Sequence, residues 1–417
     1  MTSKAENELL TRVEGDAPLG RMLRENFWMP FARSESLAPG GAPQRVRLLG
    51  TNLVAFRGED GTLGLVDELC PHRRASLALA RVEGCSLRCI YHGWRTGADG
   101  SVLEVPSEGK RSGEFAAKVR VNHYRVREGG GLLWAFLGQS VQEGDEAPEL
   151  PPLPFMKVPA QSRWWCRMTV DCNWLQGFEG ALDSVHLNWL HQGWRKDEAG
   201  MSPYPRLPPV YEIEKTGYGL RTCAVREDGG DEIHFRCAEF IAPFYAFSAS
   251  RQPVIASDCS VFISVPVDDT THMLFFGFWD EVGELTDVSG FFPDSLDPDN
   301  LIDDLFLPHN MWGQDREAMA RGHFSGFTKS VLHEDVGVQT SMGPIVERSE
   351  ENLCSTDLAI VRTREFLLEK IAAFRAEREV DGEMAAYRDF GNLPFSCIAP
   401  LGSDWREIGF RAHEAAQ

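Results

Sequence analysis

The chain has 417 residues, of which 43% are hydrophobic and 25% are charged, a composition typical of a globular protein with two or three domains. Acidic residues outnumber basic ones by 62 to 42, which gives a net charge of −20. This charge argues against nucleic acid and anionic membrane surfaces as partners, because phosphates are bound by clustered basic side chains. We expect no membrane span, because no apolar stretch reaches about eighteen residues. We expect a cytoplasmic location, because the N-terminal sequence lacks an apolar signal core.

The sequence pattern changes in character along the chain. Residues 6–32 have helical, amphipathic periodicity. From about residue 43, short β-type runs alternate with turns such as GEDGT (58–62) and GADGS (97–101), in which Asp-Gly favours tight hairpins. The acidic, proline-rich segment EGDEAPELPPLP (143–154) is typical of a linker. Beyond it, residues 210–280 contain further strand-like runs, and the last hundred residues are mainly helical.

Residues 70–94 contain two matched pairs of metal-binding residue types, Cys70-Pro-His72 and Cys89-Ile-Tyr-His92, with sixteen residues between His72 and Cys89. Thiolate and imidazole together suit either zinc or an iron–sulfur cluster. A structural zinc site usually has two-residue or longer gaps within each pair, whereas the first pair here is C-x-H. The segments CPHRRASL and CIYHGW instead resemble the Rieske pattern C-x-H-R…C-x-x-H-G-W.

This resemblance implies a Rieske [2Fe–2S] cluster in which one iron takes both cysteines and the other takes both histidines. Carried over, Cys70 and Cys89 bind one iron, and His72 and His92 bind the other. Neutral imidazoles in place of thiolates leave the cluster less negative and raise its reduction potential. We expect the neighbouring rings of Tyr91 and Trp94 to shield the cluster from water, although an ordinary core role explains them equally well.

A second group of metal-binding residue types lies in EGALDSVHLNWLH, inside a stretch whose apolar residues recur every three or four positions. Two histidines and one carboxylate on a single face form the facial triad of non-haem iron(II) oxygenases. The spacing D-x2-H-x4-H resembles the iron-binding helix of Rieske non-haem iron oxygenases, and NWLQGFEG and EDVGVQTSMGPIVERSEE resemble the phthalate dioxygenase group of that family. The resemblance extends from about residue 6 to residue 370 and is weakest between 195 and 330.

The resemblance implies that His186, His191 and Asp335 bind a mononuclear iron. Glu334 is adjacent to Asp335 and offers the same ligand type, but the family pattern favours the aspartate. At about 100° per residue, His191 would lie roughly 140° from His186 around a regular helix. Both can reach one metal only if the helix bulges or ends, so we predict an irregular turn at 187–191.

Two acidic residues before the histidines are predicted to be catalytic. Asp183 and Glu179 fall on the same helical stripe as His186. In the resembling family three chains form a ring, and the cluster of one chain faces the iron of its neighbour. Asp183 is therefore expected to bridge an iron histidine of its own chain and His92 of the neighbouring chain.

The resemblance implies an α+β protein. An antiparallel β Rieske domain is followed by a catalytic domain of the helix-grip type, in which an antiparallel sheet packs with helices. The predicted organisation is an N-terminal helical segment on the catalytic domain (1–42), the Rieske domain (43–142), a linker (143–155) and the mononuclear iron catalytic domain (156–417).

The implied function is that of an oxygenase component that uses O2 and external electrons to hydroxylate or dihydroxylate an aromatic substrate. Removal of O- or N-methyl groups by the same iron chemistry is the alternative, and a Rieske electron-transfer protein would need the first motif alone. The sequence has no flavin, nicotinamide or plant-type ferredoxin fingerprint, so we expect a separate NAD(P)H-dependent flavin and iron–sulfur reductase. The family implies a homotrimer or a dimer of trimers.

The phthalate-like group favours aromatic carboxylates, which an arginine binds with two parallel hydrogen bonds. Each candidate arginine is also an ordinary strand residue, so the sequence does not choose among them. Aromatic runs such as IAPFYAF and LFFGFWD suit either an apolar cavity wall or core packing. The candidates in the predicted sheet are Arg221, Arg226, Arg236 and Arg251.

Overall fold

The computed structural model describes residues 2–138, 148–193, 207–249, 259–281, 283–285, 297–301, 306–376 and 394–408. The chain forms two compact units. The C-terminal unit comprises Met1–Arg12, Ala17–Leu19 and Pro152–Gln417, and the N-terminal unit comprises Val13–Asp16 and Gly20–Pro151. Arg251 and residues 143–147 of the predicted linker lie outside the described residues. Among the described residues, no helix combines the length and the apolarity that crossing a membrane requires.

Seven α-helices lie in the described part of the chain. The first is closed by a capping box in which Ser3 and Glu6 satisfy each other's backbone donors. The helices are α1 (Lys4–Thr11), α2 (Pro18–Asn26), α3 (Ser112–Ala116), α4 (Trp174–Leu182), α5 (Arg316–Ala320), α6 (Val331–Ser341) and α7 (Leu358–Arg375).

The N-terminal unit consists of three small antiparallel sheets, with strand orders β1-β10-β9, β2-β3-β4 and β5-β6-β7-β8. The turns predicted at 58–62 and 97–101 join β3 to β4 and β7 to β8. The strands are β1 (Met29–Arg33), β2 (Gln44–Leu48), β3 (Thr51–Arg57), β4 (Leu63–Asp67), β5 (Arg81–Glu83), β6 (Ser86–Arg88), β7 (Arg95–Gly97), β8 (Val102–Glu104), β9 (Arg125–Gly129) and β10 (Leu132–Phe136).

The N-terminal segment is divided differently from the predicted 1–42. Strand β1 pairs with β10, so the chain from Gly20 onward belongs to the N-terminal unit. Helix α1 belongs to the C-terminal unit, where the Trp174 indole N–H donates to Leu10 O at 3.2 Å. The sequence prediction followed local helical periodicity, whereas the pairing of β1 joins segments about a hundred residues apart in the chain.

The C-terminal unit is built on an eight-stranded antiparallel sheet with the order β11-β17-β16-β15-β14-β13-β12. The eighth strand, β18, pairs with the first half of β14, and β15 pairs with its second half. The strands are β11 (Arg163–Val170), β12 (Val210–Lys215), β13 (Gly219–Glu227), β14 (Glu232–Ile241), β15 (Tyr245–Ala249), β16 (Cys259–Pro266), β17 (His272–Trp279) and β18 (Ser396–Pro400).

Two glycines allow helix α4 to lie close to the sheet and to α6, because they have no side chain. A Cβ atom on Gly177 would lie 2.4 Å from His272 Nε2, and one on Gly180 would lie 2.7 Å from Gln339 Nε2. Gln176 adds hydrogen bonds from its amide group to the carbonyl oxygens of Gln339 and Gly343, each at 3.0 Å. This close approach packs α4 against α6, and the predicted iron ligands follow α4 in the chain or lie on α6.

Candidate active site

The two loops that carry the predicted cluster ligands are closed in the same way. In each, the cysteine N–H donates to the carbonyl oxygen five residues later, and the N–H four residues later donates to the cysteine carbonyl. That fourth residue has a positive φ in both loops, 60° at Arg74 and 74° at Gly93. The bonds are Cys70 to Ala75 (2.8 Å), Arg74 to Cys70 (3.0 Å), Cys89 to Trp94 (2.9 Å) and Gly93 to Cys89 (2.9 Å).

Aromatic rings surround the cluster histidines. The rings of His72 and His92 are 4.5 Å apart between centroids and nearly perpendicular. Trp94 stacks on His72 at 4.8 Å with an interplanar angle of 2°, and Tyr91 lies 3.8 Å from His92. Trp94 is buried, so its indole covers His72, whereas Tyr91 is 54% exposed and borders the surface.

These residues fit a [2Fe–2S] cluster. Cys70 and Cys89 are buried free thiols. Burial raises the pKa of Cys70 to about 11, so its thiolate requires a nearby positive charge such as a metal ion. Nδ1 of His72 is buried and has no hydrogen-bond partner among the described residues. Since buried polar atoms almost always have a partner, this nitrogen next to buried thiols suits an iron ligand.

Helix α4 ends before the predicted iron histidines. Its last residue is Leu182, and Asp183 has extended backbone angles (φ −78°, ψ 124°). Short 3-10 turns then cover His186–Asn188 and Leu190–Gly193. The irregular turn predicted at 187–191 is present, but it begins earlier, at Asp183. The reason is local competition, because the Asp183 side chain accepts hydrogen bonds from the N–H groups of Val185 (2.7 Å) and His186 (3.2 Å).

Asp183 also faces the first iron histidine. Its Oδ2 lies 3.4 Å from His186 Nδ1, and its side chain remains 30% exposed. Burial opposes ionisation of Asp183, but hydrogen bonding to His186 and the nearby backbone N–H groups outweighs it and lowers the pKa. The carboxylate therefore stays charged beside His186 and is reachable from the surface.

Three side chains converge on one point next to α6. His186 Nε2 lies 3.1 Å from His191 Nε2, and Asp335 Oδ1 lies 3.5 Å and 3.3 Å from these two nitrogens. A metal with bonds of about 2.1 Å holds neighbouring ligand atoms about 3 Å apart. The three atoms therefore have the spacing of one face of a metal site, and they are the group of possible metal ligands found among the described residues.

Carboxylates dominate the electrostatics of this group. His191 is buried and its Nδ1 lies 2.6 Å from Glu334 Oε2. Burial by itself disfavours the imidazolium, but the charges and hydrogen bonds of Asp335 and Glu334 outweigh it and raise the pKa of His191 to about 10. A field that attracts a proton also attracts a divalent cation, so the site suits Fe(II).

A cavity of about 120 Å³ opens beside the three side chains. A cavity of about 150 Å³ holds benzene, so this volume suits one aromatic ring. Register places Ser248 on β15 opposite Ser260 on β16, and Phe262 on β16 opposite Phe276 on β17. The sheet therefore contributes a polar row on β14 to β16 and an aromatic wall on β16 and β17. The sheet residues lining the cavity are Arg236, Ser248, Ser260, Phe262, Leu274, Phe276 and Phe278.

Two family models match the chain. A Rieske [2Fe–2S] domain matches residues 27–125, and a domain described as LigXa C-terminal domain like matches residues 136–417, which is more than half of the chain. The chain belongs to the Rieske oxygenase family. It is therefore an oxidoreductase of the oxygenase class, with a Rieske [2Fe–2S] cluster and a mononuclear iron.

Relatives and a solved structure agree with this assignment. The chain is 35% identical to the phthalate 4,5-dioxygenase oxygenase subunit of Pseudomonas putida, over 99% of this chain and 95% of that protein. It is 32% identical to the 5,5'-dehydrodivanillate O-demethylase oxygenase subunit of a Sphingobium strain, over 89% and 82%. The terminal oxygenase of carbazole 1,9a-dioxygenase from Nocardioides aromaticivorans shares the fold, with a TM-score of 0.58, 17% identity, and coverage of 90% and 99%. The predicted family, α+β fold class, enzyme class and cofactors are confirmed.

The structure separates the candidate arginines of this Rieske oxygenase. Arg221 pairs with Glu239 at 2.6 Å, and Arg226 is buried with a guanidinium N–H donating to Ser184 O at 3.1 Å. Arg236 is half-buried and lines the cavity. Of the three candidates that the structure describes, Arg236 is the one that lines the space beside the predicted iron ligands.

Glu179 has a different environment from the one its helical stripe suggested. Its carboxylate pairs with Arg348 at 2.9 Å and with Arg364 at 2.7 Å, and it is absent from the lining of the cavity. Burial raises the pKa of Glu179, but the two guanidinium groups outweigh it and lower the pKa below the usual value. The predicted catalytic role therefore has no support in the structure, and these contacts make Glu179 an anchor of α4.

Sequence reasoning missed several residues of the oxygenase site. Ser325 donates to Glu334 Oε1, and Gln339 lines the cavity one helical turn after Asp335. Ser248 and Ser260 complete the polar row. The four-residue spacing from Asp335 is the signal that would have identified Gln339. The serines carry no such signal, because their positions depend on strand pairing.

Proposed function

We propose that this Rieske oxygenase hydroxylates or dihydroxylates an aromatic carboxylate in the cavity beside His186, His191 and Asp335. The observation that carries the proposal is that one cavity joins the three ligand atoms to an arginine and an aromatic wall. The name of the phthalate 4,5-dioxygenase relative supports an aromatic acid as the substrate class.

The residues divide the work of binding. The guanidinium of Arg236 binds the carboxylate with two parallel hydrogen bonds. The ring lies against Phe262, Phe276 and Phe278, which exclude water and fix its plane. With the carboxylate at the sheet and the ring on the aromatic wall, a ring edge faces the ligand triad.

The residues around the metals either bind a metal or orient a residue that binds it. His186, His191 and Asp335 hold the mononuclear iron, and Cys70, Cys89, His72 and His92 hold the cluster. When bound, the cluster passes single electrons and the mononuclear iron activates O2. The Asp183 carboxylate lies 3.4 Å from the outer nitrogen of His186, and in this proposal its charge orients that ring.

Electrons come from a separate protein in this proposal. The names of the relatives describe oxygenase subunits, which supports a system with a separate electron donor. We propose an NAD(P)H-dependent reductase with flavin and iron–sulfur groups, a homotrimer or dimer of trimers, and a cytoplasmic location. In the trimer, Asp183 of one chain accepts a hydrogen bond from His92 of its neighbour.

The test combines substrates and variants of Arg236. Purified oxygenase, O2 and a generic reductase are supplied with aromatic acids, their carboxamides and aryl methyl ethers, and products are identified by mass spectrometry. A hydrogen bond to a charged group contributes about 1.5–3 kcal/mol, so Arg236→Gln should raise KM for the acid roughly tenfold to a hundredfold. Arg236→Lys should recover part of this loss, and the exposed Arg362→Gln is the control.

The carboxamides decide whether Arg236 recognises charge. Arg236→Gln should leave their KM unchanged, since the amide offers no charge to the guanidinium. An equal loss for acid and amide would contradict the carboxylate site. Absence of any oxygenated product from the whole panel would contradict the aromatic substrate class.

O- or N-demethylation is the second candidate function. The relation to the 5,5'-dehydrodivanillate O-demethylase oxygenase subunit favours it. Hydroxylation of a methyl group and of a ring use the same ligands, so the products decide between them. Formaldehyde release from an aryl methyl ether would favour demethylation over ring hydroxylation.

Metal content provides an independent test. The protein isolated without oxygen should contain about three irons and two acid-labile sulfides per chain, from one cluster and one mononuclear site. It should be reddish-brown. Stoichiometric zinc without sulfide would contradict the cluster ligands.

A further inference from the structure

Glu334 is an unusual neighbour for an iron ligand because it is entirely buried. Its exposed fraction is 0%, and it precedes Asp335 on α6. Adjacent residues of a helix point about 100° apart, so the two carboxylates leave α6 in different directions. Asp335 points to the cavity, while Glu334 points to the far side of His191.

Every described partner of the Glu334 carboxylate is a donor directed at it. The N–H at Nδ1 of His191 donates to Oε2 at 2.6 Å, and the Ser325 hydroxyl donates to Oε1. The direction of the second bond follows from Phe327, whose backbone N–H donates to Ser325 Oγ at 3.2 Å. Both oxygens are therefore engaged, and no solvent reaches them to compete.

This arrangement determines which nitrogen of His191 is available. A carboxylate can only accept, so Nδ1 keeps its hydrogen and Nε2 is the nitrogen that gives up its proton and offers a lone pair when a metal binds. That Nε2 atom lies 3.1 Å from His186 Nε2 and 3.3 Å from Asp335 Oδ1. The imidazole is thus held with its lone pair aimed at the centre of the triad.

The same geometry indicates that Glu334 is not itself a ligand of the iron. Glu334 contacts the outer nitrogen of His191, whereas Asp335 approaches the inner nitrogens of both histidines. The imidazole ring lies between Glu334 and the point where the three ligand atoms converge.

We propose that Glu334 is a positioning residue that sets the tautomer and orientation of His191 and thereby the Fe(II) affinity of the triad, an inference that rests on the proposed iron site. Carboxylates that accept from a metal-bound histidine fix its ring and raise its basicity. His186 has a partly exposed aspartate in the equivalent place, so the two histidines are held to different degrees.

The test measures Fe(II) affinity rather than turnover. Full-length protein depleted of mononuclear iron is titrated anaerobically with Fe(II) against a chelator, and the cluster absorbance reports integrity. Loss of such a partner typically costs 10–100-fold in metal affinity, so Glu334→Ala should weaken Fe(II) binding by roughly that factor. The EPR spectrum of the Fe(II)–nitric oxide adduct should also change in rhombicity.

The conservative variant distinguishes positioning from charge. In Glu334→Gln the amide oxygen can accept from His191 while the amide N–H donates to Ser325 Oγ, so affinity should lie closer to the parent than to Glu334→Ala. Glu334→Asp is one methylene shorter and should resemble Glu334→Ala. If Glu334→Ala loses the cluster absorbance, the Fe(II) affinities of Glu334→Gln and Glu334→Asp, compared with each other, test the positioning role instead.

A second buried carboxylate in the same unit serves as the control. Glu239 is 2% exposed and pairs with Arg221 and Tyr218, away from the triad. Glu239→Ala should keep the parent's Fe(II) affinity. An equal loss in Glu239→Ala would mean that general destabilisation, not positioning, weakens the site.

Two outcomes separate this inference from the proposed function. If Asp335→Ala weakens Fe(II) binding and Glu334→Ala does not, Glu334 has no positioning role although the iron site stands. If Asp335→Ala binds Fe(II) like the parent while Glu334→Ala does not bind it, Glu334 is itself the ligand. In that case both the proposed triad and this inference fail.

Discussion

The two metal-binding regions of this Rieske oxygenase hold their histidines in opposite ways. In the N-terminal unit, His72 and His92 are packed by the aromatic rings of Trp94 and Tyr91. In the C-terminal unit, the partners of the iron histidines are carboxylates: Asp183 faces His186, and Glu334 faces His191.

The difference in partners produces opposite electrostatics. Partial burial, His72 and Arg73 all lower the pKa of His92, whereas the carboxylates around His191 raise its pKa to about 10. Neutral imidazoles in place of two thiolates make the cluster easier to reduce, and further negative charge near it would oppose reduction. A lone divalent cation gains from negative charge close by. Each region therefore has the field that its metal requires.

Replacing Asp335 should have the largest effect, because it should empty one metal-binding region and leave the other intact. Asp335→Ala deletes a proposed ligand of the mononuclear iron but leaves the N-terminal unit unchanged, so we expect loss of that iron and of turnover with an intact cluster spectrum. Iron analysis and visible absorption measure both sites in one sample. Asp315→Ala is the control, because Asp315 caps α5 and lies near Arg321 and is not one of the three converging side chains. Retained turnover in Asp335→Ala would assign the ligand to another carboxylate.

Asp183→Asn should slow electron transfer between the two metal centres without removing either metal. The neutral amide keeps the shape of the side chain but weakens the bridge that we propose between His186 and the neighbouring chain. We expect both metals to stay bound and the proposed trimer to stay intact, while electron passage from cluster to iron slows by orders of magnitude. Rapid mixing of the reduced variant with O2 and substrate should show a cluster that stays reduced. Asp171 is exposed, and the control Asp171→Asn should reoxidise as fast as the parent. If Asp183→Asn also reoxidises as fast as the parent, Asp183 is not the bridge.

Glu179→Ala should weaken the iron region through stability rather than chemistry. Removing one partner of a buried ion pair costs about 3–5 kcal/mol, and Arg348 and Arg364 would both lose this carboxylate. We expect a lower unfolding midpoint in denaturant and loss of iron as α4 loosens, with Glu179→Gln less affected. A fully stable variant without turnover would restore the catalytic role predicted from the sequence.

The smallest effects are expected in the two cluster loops, which differ at one equivalent position. Arg74 and Gly93 both have positive φ, and a non-glycine residue there costs about 1–2 kcal/mol. Gly93→Ala should therefore destabilise the N-terminal unit, and Arg74→Gly should stabilise it. Cluster absorbance followed through a denaturant titration measures both. Equal stability of the parent and the two variants would mean that the loops are not under backbone strain.

The sequence by itself determined the cluster site, because its four ligands lie within residues 70–92 in two loops closed by short-range hydrogen bonds. Local spacing also pointed to His186 and His191, and the family resemblance added Asp335; the three side chains converge in the structure. Only the resemblance to the family distinguished Asp335 from Glu334, because Glu334 offers the same type of ligand one position earlier.

Only the tertiary structure decided what surrounds these ligands. The roles of Glu179 and Glu334 depend on which distant side chains reach them, arginines in one case and His191 with Ser325 in the other. Strand pairing turned Arg236 toward the cavity and gave Arg221 an acidic partner. Such contacts join segments far apart in the chain, so no local pattern encodes them.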